Sequence, residues 1–507
     1  MWKKIGVNSI SYLALTIFKL AFGLWYTPYL LHKIGALDFA LITFISSIFG
    51  FSGLLDIGLR PTLVKLVAAK HARGDHEGLQ ADVSAFLTLF TIIGFVAGVL
   101  LSLVGIALPY FTHIPPERVH IYAILFAISA VQAFYNFPLG TLNGILNGLQ
   151  DNVMGSFIQF FTVVATGIYS YVLLTTGYGV VALNVAAMIV GLLVVPVSIW
   201  RVKRLLPGLR FRFRRVTMDE VRGYSRFSGV MFISNIAESA IRRTDQLIIA
   251  MFLPLVNVAT YQIGTRLHDY SRMPMEQVVG NIFPAASALA GKGEREKLYD
   301  LIFRGTKYII MIYLPIYALL ICYGGEFITL WVGKDFAGAY WVMILLVSGS
   351  LYHAVDAIPQ WCLLSQDRTR NFTRANIAGA VVNLILCVVL VNTPLGIYGI
   401  ALAALLTYLF VGVPFGWFVR RELGFGFPEM FRRSILGPLI SVIPIFLLRA
   451  AYTLFPLRWW SWTAFNLVSV LLMLGVYLIF FADDRERRKI RSVRDSILGR
   501  AIPEGAE

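Results

Sequence analysis

Charge is scarce in this chain. Of its 507 residues only 14% are Asp, Glu, Lys or Arg, where a soluble domain carries roughly a quarter. So little charge cannot cover the water-facing surface of a chain this long. Cysteine is nearly absent too: Cys322, Cys362 and Cys387 sit in or beside apolar runs without metal-ligand spacing. They read as small buried hydrophobes, not as a disulfide framework or metal site. No Gly-rich loop ends in Lys-Ser or Lys-Thr, and neither His-Glu-x-x-His nor Cys-x-x-Cys occurs. Direct ATP drive and the common metal-dependent chemistries therefore lack their sequence signals. No catalytic residue, resident cofactor or metal is expected, and the segments assigned below to the outer side are too short for a catalytic domain.

What is present is apolar sequence, 58% of the chain. It comes in runs long enough to cross about 30 Å of hydrocarbon at 1.5 Å per residue. Without water to satisfy the backbone, such runs must be helices. The expected fold class is all-α, a polytopic membrane protein of about fourteen spans. They fall at residues 6–31, 36–64, 83–108, 119–142, 153–176, 180–200, 225–253, 256–289, 301–323, 336–364, 372–391, 395–418, 435–454 and 462–481. The opening run is too long for a signal-peptide core and shows no small-residue cleavage site, so it reads as an uncleaved first helix.

The net charge of +16 does not imply nucleic acid, because the basic residues cluster between apolar runs. Placing the N-terminus in the cytoplasm gathers Lys70, Arg73, Lys292, Arg295, Arg420, Arg421, the stretch 201–226 and the tail on one side. The other side keeps Lys33, Arg118, Lys334 and Arg458. This asymmetry places both termini inside a cytoplasmic (inner) membrane, with anionic lipids attracting the basic loops. Trp25, Tyr26, Trp331, Trp341, Trp459, Trp460 and Trp462 are expected mostly in interfacial belts.

The longest connection, residues 201–224, is basic and separates two six-helix halves, expected at 1–200 and 225–420, with a terminal helix pair and basic tail at 421–507. An internal repeat supports the division. The stretch from Ala68 through Gly74-Asp75-His76-Glu77-Gly78-Leu79 corresponds to the one from Ser287 through Gly293-Glu294-Arg295-Glu296-Lys297-Leu298. Both are small-residue helix ends running into an acidic turn on the same side, which makes the halves parallel repeats.

Ionisable residues within spans are expensive and mark pathways or internal pairs. They are concentrated in the first two helices of each half: Lys19, then Asp56 and Arg60, then Glu238, Arg242, Arg243 and Asp245, then Arg266, His268, Asp269, Arg272 and Glu276. The tenth span adds His353 and Asp356. Helical spacing puts Glu238, Arg242 and Asp245 on one face, and Asp269, Arg272 and Glu276 on another. Two readings stand side by side. The cations form a cavity for an anion, with the carboxylates tuning it or binding a coupling ion; or neighbours neutralise one another, as Asp56 with Arg60, Glu238 with Arg242 and Arg272 with Glu276. His353 with Asp356 reads as a satisfied core pair or a proton relay.

The segments Leu54-Leu55-Asp56-Ile57-Gly58-Leu59 and Ala72 to Glu77 resemble the second helix of polysaccharide repeat-unit flippases. Thr244-Asp245-Gln246-Leu247-Ile248-Ile249 and Ala259-Thr260-Tyr261-Gln262-Ile263 resemble the start of their second half. That family, of the O-antigen and exopolysaccharide type, belongs to the multidrug/oligosaccharidyl-lipid/polysaccharide exporter superfamily. The resemblance implies two six-helix bundles in a V plus a terminal helix pair lining a lipid groove. It also implies alternating access that moves an undecaprenyl-pyrophosphate-linked oligosaccharide to the periplasmic leaflet, and pyrophosphate or anionic-sugar contacts at Lys19, Arg60 and Arg266. Other expected partners are membrane lipids, a polysaccharide polymerase and assembly proteins, with coupling to a Na+ or H+ gradient. The alternatives are a cation-coupled exporter of drugs or small molecules in the same superfamily, a lipid II flippase, and a membrane enzyme acting on polyprenyl-linked sugars.

Overall fold

The structure, a computed structural model, describes residues 2–56, 59–224, 244–291, 294–364, 370–452, 459–482 and 486–487. Most of the seventh expected span, with Glu238, Arg242 and Arg243, lies outside the described residues, as do Lys292, Arg458 and the end of the tail.

The described chain is helical, with no strand among the described residues. The N-terminal helices are α1 (Trp2–Phe51), α2 (Leu59–Arg73), α3 (His76–Ala107), α4 (Val119–Gly148), α5 (Asn152–Thr175) and α6 (Val181–Leu205). Next come α7 (Asn257–Gly291), α8 (Arg295–Val332), α9 (Ala339–Leu364), α10 (Arg370–Val391) and α11 (Ile397–Leu423). The C-terminal part contains α12 (Phe427–Met430), α13 (Leu436–Ser441), α14 (Ile443–Tyr452) and α15 (Trp459–Phe480). The last expected span but one is thus broken into short pieces, with a π-helical turn at Phe431–Ile435.

Ten of the described segments are long and apolar enough to cross a membrane. The expected fourteen are not reached on this measure, for identifiable reasons. The first two spans fall in one apolar stretch, Ala14–Asp56, parted only where Gly35 adopts φ 78° and ψ 169°. A side chain would be strained at that φ. The seventh span is mostly outside the described residues, α7 carries Arg266, His268, Asp269, Arg272 and Glu276, too many charges for an apolar window, and the twelfth counts only as a shorter apolar helix, Ile397–Gly412. The second span also departs from a continuous helix. It stops at Phe51, tightens into a 3-10 turn at Ser52–Asp56 and resumes as α2. Gly50, Gly53 and Gly58 together with Pro61 weaken helix propagation there.

The chain divides into two compact units, residues 1–263 with 376–404, and residues 264–375 with 405–507. In the first, α4 is closely approached by its neighbours. Gly140, Gly144 and Gly148 form a small-residue stripe, on which an added Cβ would lie 3.2 Å from Arg60, 2.6 Å from Leu63 and 2.8 Å from Val67 of α2. Such stripes let helix backbones come close where apolar burial gives little drive. In the second unit, α8 contributes Ile310, Leu314, Ala318, Cys322 and Tyr323 to a core completed by Val442, Ile445 and Met473. The three cysteines are buried and form no disulfide among the described residues. Trp25, Trp341, Trp459 and Trp460 are exposed, as an interfacial belt requires, whereas Trp331 is buried and stacks on Phe327.

The two repeated turns share their geometry. Asp75 (φ −78°, ψ 81°) and Glu294 (φ −79°, ψ 70°) occupy the same N-cap position. Their N–H groups donate back to Lys70 at 3.0 Å and Leu289 at 3.1 Å. Their carbonyls accept from Leu79 and Leu298, both at 3.1 Å. The turns differ in one respect, since only the Asp75 side chain caps its helix, accepting from Gly78 N at 2.8 Å.

Candidate functional site: charged groups within the spans

In the first unit, Lys19 lies on α1 where that helix is wedged against α5. The Phe18 ring meets Phe160 at 4.6 Å, and a Cβ at Gly167 would touch the Phe22 ring at 2.5 Å. Lys19 Nζ donates to Gln159 Oε1 at 2.7 Å. A neutral amide thus holds the ammonium, and no carboxylate ion-pairs with it among the described residues. Burial of a cation without a counter-charge is costly.

Arg60 opens α2, and Asp56 in the preceding turn serves it twice. One carboxylate oxygen accepts from the Arg60 backbone N–H at 3.1 Å, and the other pairs with Nε at 2.8 Å. An acid just before a helix start satisfies an orphan N–H and suits the helix dipole. Arg60 is 45% exposed and Asp56 16%. The guanidinium rests over Gly140 of α4, so the missing Cβ is what gives it room.

Asp245, in the helical stretch 244–252, is buried. The Tyr261 hydroxyl donates a short hydrogen bond to one of its oxygens, and Cys387 Sγ lies 3.9 Å from the other. Asn383 Oδ1 is 3.8 Å from the same sulfur. Asp245 has no cationic partner among the described residues, so it is a buried carboxyl held by neutral groups.

In the second unit, His268, Arg272 and Glu276 follow one face of α7 at helical spacing. Arg272 Nη2 pairs with Glu276 at 3.0 Å, the arginine 8% and the glutamate 48% exposed. Its Nη1 is 3.4 Å from the Tyr408 hydroxyl of α11, while the buried Nε has no hydrogen-bond partner among the described residues. His268 Nε2 is 2.6 Å from Ser350 Oγ of α9, and its Nδ1 is 3.8 Å from Asp269. Arg266 lies half-buried on the opposite flank of α7. On α9, His353 Nδ1 is 3.1 Å from Asp356, the two being 26% and 15% exposed.

Local pairing therefore occurs at Asp56–Arg60, Arg272–Glu276 and His353–Asp356, while Glu238–Arg242 falls outside the described residues. Sequence reading missed Gln159, the one amide side chain in a fifth span without charges, which was a usable signal. It also missed Gly140, Tyr408 and Ser350, whose roles depend on which helix faces which. Outside the spans, Gln80 holds the backbone of Arg210 at 2.7 Å, and Arg214 pairs with Glu220 at 2.8 Å. The Arg214 hydrogen bonds keep the Glu220 carboxyl below its ordinary value.

The family profile described as "Polysaccharide biosynthesis protein" matches residues 34–341, more than half of the chain. The chain belongs to the polysaccharide biosynthesis protein family. Within that setting it is similar to a probable low-salt glycan biosynthesis flippase, Agl15, of Haloferax volcanii, at 23% identity over 209 residues. That match takes in 41% of this chain and 43% of the relative, less than half the length of either. An uncharacterized membrane protein of Bacillus subtilis, EpsK, is 20% identical over 450 residues, 87% of this chain and 88% of that one. Among solved structures, the lipid II flippase MurJ in an inward closed conformation superposes with a TM-score of 0.72 at 14% identity. It covers 97% of this chain and 100% of that one. This polysaccharide biosynthesis family member thus shares the fold of the lipid II flippase structure.

Proposed function

We propose that the chain carries a polyprenyl-pyrophosphate-linked oligosaccharide across the cytoplasmic membrane by alternating access. The observation that supports this most is Lys19, a cation inside a span with a neutral hydrogen-bond partner and no carboxylate ion pair among the described residues. Such a charge suits an anionic cargo. Arg60, Arg266 and Arg272 are further contacts for the pyrophosphate or acidic sugars, with Arg242 and Arg243 in the same role. Arginine suits this because its planar fork donates two hydrogen bonds to one phosphate. Stripping water from a pyrophosphate and a sugar chain is prohibitive in hydrocarbon, so cationic side chains replace that hydration while the polyprenyl tail stays in lipid. The protein makes no covalent bond; ligand binding shifts the populations of its states.

Coupling to a Na+ or H+ gradient belongs to the same proposal. Asp245 suits a small cation, being a buried carboxylate beside a tyrosine hydroxyl. Asp56, Glu238, Asp269 and Glu276 tune the cationic groups. Both termini are cytoplasmic in this reading, and polymerase and assembly proteins receive the product. The test is translocation of a fluorescent polyprenyl-pyrophosphate oligosaccharide in proteoliposomes. Lys19→Arg retains transport and Lys19→Gln loses it; undiminished transport by Lys19→Gln removes the assignment.

A further inference from the structure

Asp356 sits within a membrane span, and among the described residues its one ion-pair partner is His353, 3.1 Å from Oδ1. That oxygen is buried and accepts no hydrogen bond, the ring nitrogen being near but poorly aligned. A carboxylate facing imidazole differs from one facing arginine, because imidazole is a cation only while it holds a proton. With His353 neutral, the pair carries one net negative charge in surroundings that solvate charge poorly. One shared proton removes it.

The neighbouring charges do not supply that neutralisation. From α7, Arg272 is engaged by Glu276 at 3.0 Å, and Asp269 adds a further carboxylate beside His268. His268 is itself 2.6 Å from Ser350. On α8, Gly305 packs against Ile358, and the basic residues near that level, Arg304 and Lys307, are held by Asp300 at 2.6 Å and Glu486 at 3.0 Å. The remaining titratable neighbours are phenols. Tyr313 donates to the Val347 carbonyl at 3.1 Å, and Tyr317 is 3.1 Å from Ser348. Tyr352 belongs to α9 itself, and α11 presents Tyr408, whose ring lies 6.5 Å from the His353 ring and whose hydroxyl is 3.4 Å from Arg272.

We propose that His353 and Asp356 together hold one exchangeable proton, and that its presence is felt at Arg272 through Tyr408. The step is a proton transfer between bulk water and the pair, with no other bond made or broken. Uptake removes one negative charge from the neighbourhood of Arg272, so its attraction for an external anion rises. Proton and anion therefore favour each other's binding, reciprocally. This link to an anion rests on the reading of Arg272 as a cargo contact; the proton site does not.

The experiment measures proton uptake by the detergent-purified full-length protein between pH 8 and pH 5, against a detergent blank. Wild type takes up about one proton more than Asp356→Asn, and the double variant with His353→Gln loses no more than either single one, since the two residues share one titration. A lone histidine would keep its uptake in Asp356→Asn, so wild-type uptake by that variant overturns the proposal. If Asp356→Asn does not fold, the wild-type infrared difference between the two pH values decides. A carboxyl band that His353→Gln alters supports the pair, and its absence overturns it. Inorganic pyrophosphate, added at constant pH, then draws in protons in wild type and not in Arg272→Gln. Pyrophosphate binding without proton uptake overturns the link. No binding, with the titration intact, counts against the cargo reading and leaves the proton site standing.

Discussion

Arg60 and Arg272 are both arginines in the charged helices of this chain, each with a carboxylate four residues away, yet they are held differently. Arg60 is nearly half exposed, pairs with an acid in the turn before its own helix and rests over the bare backbone of Gly140. Arg272 is buried, and α11 engages it through Tyr408 while Glu276 takes its far end. The same side chain therefore does different physical work. An anion would reach Arg60 with little rearrangement, whereas at Arg272 it would have to displace two contacts. The first unit presents an accessible cation at Arg60; the second holds Arg272 in a network of polar contacts.

The largest expected effect concerns Arg60. Arg60→Ala lowers glycan export on the order of a hundredfold, the loss of a charge-assisted contact or two, while the amount of inserted protein is unchanged. Export assays with immunoblotting of membranes check both halves, and undiminished export would remove Arg60 from the site. Arg272→Leu separates the two arginines through stability. It lowers thermal stability in detergent by roughly 1–3 kcal/mol, because a buried cation with polar partners is lost, discounted for the exposure of Glu276. Arg60→Leu costs less, about 0.5–1 kcal/mol, because the arginine of this pair is half exposed although Asp56 is mostly buried. Equal losses would erase the distinction.

Glycine substitutions sharpen the same comparison at smaller scale. A Cβ at Gly349 would lie 2.6 Å from the Tyr408 ring, a rigid neighbour, so Gly349→Ala destabilises by about 1–3 kcal/mol. At Gly140 the nearest atom is Arg60 Nε at 3.2 Å, at the movable end of a side chain, so Gly140→Ala impairs transport more than folding. The smallest effect lies in the linker. Arg214 holds the Glu220 carboxyl low, so this docking is fully present above about pH 4.3, the unfolded value. It weakens as pH falls through the folded value. Faster proteolysis of the linker in acid, abolished by Glu220→Gln, would show it.

Much of this was readable from composition. Long apolar runs gave membrane helices, and the few charges inside them stood out because charge in hydrocarbon is rare. Spacing alone gave the pairs Asp56–Arg60, Arg272–Glu276 and His353–Asp356, since each lies within one or two helical turns. The repeat at Asp75 and Glu294 was likewise visible, because capping turns are local. What sequence did not give is which helices touch. Gln159 beneath Lys19, Tyr408 beside Arg272 and Ser350 beside His268 join residues 82 to 140 positions apart. No period or motif encodes that. The 3-10 turn at Ser52–Asp56 was legible in hindsight from the glycines around it and Pro61, but apolar length masked it.

If cations within the spans recognise a phosphate-bearing cargo, the charge on the carrier decides the rate of transport. The most direct measurement compares two substrates in the same proteoliposomes, one oligosaccharide carried on a polyprenyl pyrophosphate and the same oligosaccharide on a neutral polyprenyl ether. Translocation of the first is expected to be at least tenfold faster in wild type, with the preference lost in Lys19→Gln. Equal rates for the two carriers in wild type would contradict it.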